Sequence, residues 1–509
     1  MKATVTRGQS RGWRGARLRI VLAWVAGLWL LAGQAGAAQD ATYVPVPCRP
    51  VSYHSALGLD AQRVCMNLGV RTHGTTPGTF LFLTPGGQSE AGAGIFRDNG
   101  QLVWWHPGQG QRALDLTVVH FRGQPYLALW SGHGMGDAHY DRGKVTLYNE
   151  HYQKVGLITA GHPFPPDWVD SHEFVVTPQG DALIGFNDPV RMKVRGYWTT
   201  VLDYVVQKIA LVRGPRGIRT GRVLFQWKSL SGVPLRDSYW PDPGQGGTWD
   251  YFHGNSIAQD TDGNLIISGR NTWGVYKVSV RTGRIIWQLG GKGDHRLPHA
   301  WCYQHDVIPL GGNRYSLFDD GGGPSGCLPG SGPHWARGLI VRVKPRTHPA
   351  RVALVRAYRH RPEIVTLCCG GLQRLGGGDV LIDWGQTPVL SQYTAAGQSE
   401  MDLSLSEWSY RAFRFPWTGR PLTRPSVAGR RKGGGTEVWA SWNGATDVTA
   451  WQVLGGSRAN HLAVVRGSVL DTGFETTIRL PHSYRYVRVR ALGPGNRVLA
   501  ASQAVATAA

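Results

Sequence analysis

The sequence predicts an all-β chain, a six-bladed β-propeller followed by a small β-sandwich of the fibronectin type III kind. Three observations predict it. The 509 residues include 70 glycines, 30 prolines and 21 tryptophans, with few long stretches of 3.6-residue apolar period, which points to strands and turns. A degenerate unit of strand, tight polar turn and strand recurs between Gly78 and Ser406. The roughly 470 residues that follow the N-terminal leader are too many for one ordinary core, so a second domain is expected.

The leader comes first. Lys2, Arg7, Arg11, Arg14, Arg17 and Arg19 precede an apolar run from Ile20 to Ala32, and Ala35-Gly36-Ala37 follows as a small-x-small pattern. A basic region, a short apolar run and such a pattern read as a signal peptide over 1–37, cleaved after Ala37. The apolar run falls short of the roughly 20 residues a membrane span needs. Export to a periplasmic or extracellular space is therefore expected, with no stable membrane insertion after cleavage. Residues 38–77 form a lead-in segment.

The repeat occupies 78–410. Its clearest copy runs from His253 to Arg270, with a strand, a turn at Asp262-Gly263 and a second strand through Leu265-Ile-Ile-Ser268. Asp-Gly is a strong hairpin signal. Gly274-Val-Tyr-Lys-Val, a turn at Arg281-Thr-Gly283 and Arg284-Ile-Ile-Trp-Gln288 complete four strands. Further copies carry the turns Arg122-Gly-Gln124, Pro178-Gln-Gly180, Gly311-Gly-Asn313 and Gly376-Gly-Gly-Asp379, and a poorer one covers Thr79 to Trp105. Six four-stranded units around a channel account for this pattern. Seven blades or a partial solenoid remain open.

Beyond the repeat, 411–435 is rich in Pro, Arg and Gly and reads as a linker. In 436–509, Val438, Ala440 and Trp442 alternate with polar residues, and Val487, Val489 and Ala491 alternate with Arg488 and Arg490. That alternation predicts the sandwich. Such a sandwich binds carbohydrate or merely packs, and the sequence does not choose.

Six cysteines suit an oxidising compartment. Fifteen pairings are formally open, and short loops favour Cys48 with Cys65 and Cys302 with Cys327. The adjacent Cys368 and Cys369 bridge each other, stay free or pair elsewhere. The formal charge of +22 favours anionic small molecules. The basic residues are scattered and no nucleic-acid-binding signature is present, so no nucleic acid partner is expected.

Three units place a histidine near the start of the innermost strand: His172 in Asp170-Ser-His-Glu173, His253 in Tyr251-Phe-His-Gly-Asn255, and His305 in Tyr303-Gln-His-Asp306. Equivalent positions in different blades face one axis, so the three are expected to converge, with Arg270 approaching from the end of the second strand. A single histidine at a strand start is usually structural, and three could be a relic of duplication. The unit near Leu116 has none, so the repeat does not demand it. A three-histidine metal site with Asp170, Glu173 or Asp306 is a further reading, but no compact ligand motif marks one.

Tyr251-Phe-His-Gly-Asn-Ser256, Asp262-Gly-Asn-Leu-Ile-Ile-Ser-Gly-Arg270, Arg284-Ile-Ile-Trp-Gln-Leu-Gly-Gly-Lys292 and Gln304-His-Asp306 resemble the arylsulfotransferase family. The resemblance covers about two-thirds of the chain and is strongest from Asp250 to Asp320. It implies a PAPS-independent transfer of a sulfuryl group from an aryl sulfate donor to a phenolic acceptor. By position, His305 matches the histidine that is transiently sulfated, His253 and Arg270 match groups that hold the sulfuryl oxygens, and His172 matches a further such histidine in a looser motif. It also implies a disulfide near the nucleophile, which Cys302 and Cys327 would supply. No cofactor and no metal are implied, and no GxxxxGK[ST] phosphate loop is present.

Elementary chemistry suits these roles. Imidazole has an unperturbed pKa of about 6.5 and is largely unprotonated near neutrality. Covalent transfer through it splits one hard step into two easier ones, and a phenol of pKa about 10 leaves readily. Two other classes stay open: a non-catalytic propeller binding a glycan or partner protein, and a metal-dependent propeller hydrolase. The sandwich and the individual loop between Gly291 and Cys302, with His295 and His299, depart from the family pattern.

Overall fold

Apolar alternation and glycine-marked turns produce a chain built of strands. The computed structural model describes residues 52–56, 59, 64–68, 78–85, 92–134, 140–292, 301–322, 326–327, 334–344 and 351–509. The leader 1–37, most of the lead-in segment, Cys48 with its expected pairing to Cys65, and the loop carrying His295 and His299 fall outside them. Among the described residues, helix is confined to three-residue 3₁₀ turns.

The strands form a propeller-like succession of antiparallel sheets. Strands Gly254–Gln259, Leu265–Gly269, Gly274–Val278 and Ile285–Leu289 make one sheet in sequence order, and His305–Gly311, Arg314–Asp319, Arg337–Lys344 and Arg351–Tyr358 make the next. Strands Gly371–Arg374, Val380–Asp383, Val389–Tyr393 and Ser399–Leu405 follow, with Val64–Leu68 added at the outer edge. The Asp262-Gly263 turn lies between the first two strands of its sheet, and Gly263 takes φ +83°, a value that glycine adopts without steric cost.

Two expected units are fused. Strands Arg112–Phe121, Gln124–Gly134, Asp141–Tyr148 and Lys154–Ile158 join the next four through a parallel pairing of Ile218 and Arg219 with Gly156 and Leu157. Gly156 permits that approach, because a Cβ there would lie 3.0 Å from the Ile218 carbonyl oxygen. The long strands Asp181–Val194, Tyr197–Gly214 and Gly217–Lys228 extend this sheet well beyond the length of the repeat.

The segment 411–435, expected as a linker, carries strands. Ser409–Pro416 pairs with Thr79–Pro85 and forms the edge of the first sheet, ahead of Gly92–Phe96 and Leu102–Pro107. Its buried Ala412 and Arg414 pack where a linker's side chains would meet water. Ser426–Lys432 and Gly435–Ser441 form a hairpin whose turn residues Gly433 and Gly434 take positive φ. The Gly run is thus a turn rather than a spacer.

Residues from Ser426 onward form a three-stranded and a five-stranded sheet. Val438, Ala440, Trp451, Val453, Ile478, Val487, Val489 and Ala491 fill the core between them. This pair is fixed to two neighbours: Asn443 exchanges hydrogen bonds with the Trp105 backbone of the first sheet at 2.9 Å, and Tyr152, in the turn before Lys154–Ile158, donates to the Gly444 carbonyl at 2.8 Å.

The inner strands meet on one buried cation. Arg411, 1% exposed, lies 3.0 Å from Glu173 and 3.8 Å from both Asp115 and Asp306. It also donates to the Asn255 carbonyl at 2.8 Å, while the Leu372 N–H donates to Asp306 at 2.8 Å. One guanidinium thereby ties together Asp115, Glu173, Asp306 and the Asn255 carbonyl, and Asp306 extends the tie to Leu372. Burial pushes Glu173 up to about 7, partly offset by Arg411, and raises Asp115 well above the carboxylate range. Buried charge without this mutual compensation costs several kcal/mol per ion.

Candidate active site

Each predicted histidine stands where an inner strand begins. His305 opens His305–Gly311, His253 directly precedes Gly254–Gln259, and His172 lies two residues before Phe174–Val176. Arg270 follows Leu265–Gly269, and its N–H donates to the His253 carbonyl at 2.9 Å. His253, Tyr303 and Asp306 adopt φ of +51°, +53° and +54°. Non-glycine residues in that region carry local strain of about 1–3 kcal/mol and concentrate at functional sites.

The four side chains line one cleft of about 450 Å³. The His172 and His253 rings have centroids 4.9 Å apart. The cleft has two characters. Arg112, His172, His253, Arg270 and His305 give its lining basic, hydrogen-bonding groups, while Trp240, Leu367, Cys368, Cys369, Trp408 and Tyr410 give it apolar surface.

A carboxylate stands behind every histidine. Nδ1 of His305 lies 3.0 Å from the Tyr303 carbonyl oxygen and 3.2 Å from Asp320 Oδ1. A carbonyl only accepts, so Nδ1 carries the proton and the lone pair resides on Nε2. Nδ1 of His253 bonds Asp250, and Nδ1 of His172 lies 3.5 Å from Asp170. Burial lowers His305 well below the ordinary imidazole value, and the charge of Arg270 lowers it further. Burial also lowers His253, with Asp250 working in the opposite direction. Burial pushes Asp320 well up, and Arg270 pulls it partly back.

Arg270 is held by its surroundings. One terminal nitrogen donates to Asn271 Oδ1 and the other to the Leu367 carbonyl, both at 3.0 Å, and the guanidinium lies 4.6 Å from the Tyr303 ring centroid. Asn271 in turn donates to the Asp250 carbonyl at 2.6 Å. A second cavity of about 760 Å³ lies against Asp115, Glu173, Asp306 and Arg411. It is larger but holds none of the three histidines and not Arg270. Glu173 and Asp306, weighed as metal ligands beside the histidines, face Arg411 instead.

Cys302 and Cys327 are bonded with an S–S distance of 2.05 Å, and the Cys302 N–H donates to Asp319, the neighbour of Asp320. Cys368 and Cys369 are bonded to each other. Among the described residues, Cys302, Cys327 and His334 form the one group of three or more potential metal ligands whose ligand atoms lie within 4.8 Å of one another, and its two sulfurs are spent on the disulfide.

Sequence reasoning missed Asp250, Asp320, Asn271 and the Leu367 carbonyl. Asp250 was within reach as Asp250-x-x-His253. Asp320 was not, because it approaches His305 only through the pairing of His305 with Phe318 across a hairpin.

A model of the arylsulfotransferase family, described as Arylsulfotransferase (ASST), matches residues 117–406. No curated protein matches the chain. Among solved structures, a protein of unknown function from Bacteroides caccae is 11% identical, with 66% of this chain and 98% of that one covered and a TM-score of 0.39. A virginiamycin B lyase from Staphylococcus aureus is 11% identical over 75% and 95% of the two chains, with a TM-score of 0.25. A GH43 protein from Bacillus licheniformis is 8% identical over 77% and 88%, with a TM-score of 0.29. Likeness at this level carries no argument about activity.

Proposed function

The chain belongs to the arylsulfotransferase family, and from that premise we propose that it moves a sulfuryl group from an aryl sulfate to a phenol through a sulfated His305, without PAPS. Family membership makes it a transferase acting on small molecules. The donor, the acceptor, the covalent intermediate and the residue roles are the proposal. The observation that carries it is the hydrogen bonding of His305: Nδ1 is committed to Tyr303 and Asp320, so Nε2 is the nucleophilic atom.

In the first half-reaction Nε2 attacks sulfur in line. The N–S bond forms, the S–O bond to the aryl group breaks, and phenolate leaves. Positive charge develops on the imidazole ring, and the Asp320 carboxylate compensates it through Nδ1–H. This is the role a buried carboxylate plays behind a catalytic histidine. Arg270 binds two sulfuryl oxygens with its fixed fork, and His253 and His172 supply further contacts. Preorganised donors of this kind dominate catalysis where charge is redistributed rather than created.

In the second half-reaction an acceptor phenol attacks the same sulfur and the N–S bond breaks. The proton it loses balances the one taken up by the first phenolate. The basic groups of the cleft suit the sulfate, and its apolar groups suit the ring.

The same reading takes the repeated sheets as six blades around Arg411 and the C-terminal sheets as a fibronectin-like sandwich. Two disulfides among the described residues support a periplasmic or secreted setting, because cytosolic thiols are kept reduced. His305→Ala should abolish phenol release from 4-nitrophenyl sulfate while leaving the melting transition in place. Residual turnover within tenfold of wild type would remove His305 from the nucleophile's role.

A further inference from the structure

The bonded pair Cys368–Cys369 occupies a position that none of the roles above uses. Both residues line the cleft that also holds the histidines. The preceding residue, Leu367, gives its carbonyl to Arg270 at 3.0 Å. The segment is pinned on the far side as well. The Cys368 carbonyl accepts from the Gln386 N–H and the Thr366 hydroxyl, both at 3.2 Å, and the Gly370 N–H donates to the Tyr410 carbonyl at 2.9 Å. Cys369 sits at φ +75°, a backbone state unusual for a side-chain-bearing residue. Closing adjacent cysteines into one ring restricts Cys368 ψ and Cys369 φ, and the Leu367 carbonyl, which lies just outside that ring, is held through the Cys368 that the ring and its hydrogen bonds anchor.

We propose that the Cys368–Cys369 disulfide is a positioning element for Arg270 and, at the same time, the wall on which the aryl ring of the substrate packs. The inference rests on the sulfuryl-transfer reading and extends it to the aryl subsite. The sulfurs belong to an apolar surface: Cys369 lies in a core cluster with Tyr410, and Cys368 and Trp408 pack against that cluster. Polarizable sulfur makes favourable contacts with aromatic rings. Leu367 is 55% exposed at the edge of the same cleft, where a bound ring would cover it. A thiol pair would remove both effects together, since the opened segment no longer fixes the Leu367 carbonyl. Cleavage by a small dithiol is balanced: one protein S–S bond becomes two thiols, and the dithiol becomes a cyclic disulfide, a two-electron exchange.

The test combines Cys368→Ser/Cys369→Ser with Arg270→Lys in a double-mutant cycle. The readouts are the rate of sulfuryl adduct formation and the binding of 4-nitrobenzenesulfonate, whose C–S bond cannot be transferred. In the wild-type background the cysteine change should slow adduct formation about tenfold and weaken sulfonate binding by a similar factor. In the Arg270→Lys background it should slow adduct formation only about threefold, because the positioning part is lost with the arginine fork and only the aryl-packing part remains. A merely structural bridge would give equal losses in both backgrounds, and that result overturns the proposal. If wild type forms the adduct and the cysteine variant matches it in both readouts, the transfer reading stands and this inference fails. If wild type forms no adduct with any donor, both fail. Should the variant not fold, wild-type protein treated briefly with dithiol and N-ethylmaleimide replaces it. Peptide mapping must show Cys368 and Cys369 alkylated and Cys302–Cys327 intact. Unchanged adduct formation in that material also overturns the proposal.

Discussion

Asp320 places a carboxylate oxygen 3.1 Å from Nδ1 of His305, and both residues are almost fully buried. The pair sits behind the reactive nitrogen, so its charge acts on the imidazole and not on substrate. Asp320→Asn keeps an acceptor for Nδ1–H but removes the charge that compensates the developing cation. The variant should lose about 100-fold in kcat/KM, the size of effect seen when one preorganised charge is removed. Single-turnover phenolate release measures it, and a loss below threefold would make Asp320 a structural partner only.

The pH profile follows from the direction of the His305 shift. Burial and Arg270 lower its pKa well below the ordinary imidazole value. The neutral, nucleophilic form therefore persists as pH falls through about 6.5, the unperturbed value. kcat/KM for an aryl sulfate should stay level through that point and decline only in more acid solution. An acid limb centred at or above it would contradict the assignment.

Arg270→Lys preserves charge but not the fork that grips two oxygens. It also loses the paired bonds to Asn271 and the Leu367 carbonyl. Transfer should fall about 100-fold or more, the typical result of removing a transition-state donor. Steady-state kinetics with 4-nitrophenyl sulfate checks this, with kcat expected to fall more than KM rises.

Stability is governed elsewhere, at Arg411. Arg411→Met leaves Asp115, Glu173 and Asp306 buried without their common cation. Losing one partner of a buried ion pair costs about 3–5 kcal/mol. Without the guanidinium the three carboxyl groups bind protons more tightly in the folded state than in the unfolded state. Stability then drops as pH rises above the unfolded carboxylate range toward the raised folded-state values. Urea unfolding should show a larger deficit near neutrality than in mild acid, and a deficit that does not grow with pH would count against the shared-charge description.

Cys302→Ala/Cys327→Ala opens a loop with a sequence separation of 25. The expected loss is about 3 kcal/mol in the chain-entropy model. Because Cys302 also presents its N–H to Asp319 beside Asp320, transfer should decline along with the melting temperature.

Much of this architecture was legible in the sequence because the signals are local. Asp262-Gly263 marks its hairpin without help from distant residues, and the alternation of Val487, Val489 and Ala491 with arginines reports which face is buried. The convergence of His172, His253 and His305 followed from a repeat, which converts sequence position into spatial position. The failures share one cause. Residues 411–416 of the strand Ser409–Pro416 were expected as linker because its partner, Thr79–Pro85, lies more than 300 residues away. Arg411 and Asp320 gain their meaning only from pairings across sheets or hairpins, and composition around them gives no sign of it. The fusion through Gly156 and Ile218 is likewise a long-range contact.

The central claim is a covalent sulfuryl group on His305. Intact-protein mass spectrometry after brief mixing with 4-nitrophenyl sulfate, at neutral or alkaline pH to spare an acid-labile N–S bond, tests it most directly. The account predicts a gain of one SO₃, about 80 Da, that maps to His305 and disappears when phenol is added, as a covalent intermediate requires. A folded protein that releases 4-nitrophenol without ever carrying the adduct, or that carries it on another residue, would contradict it.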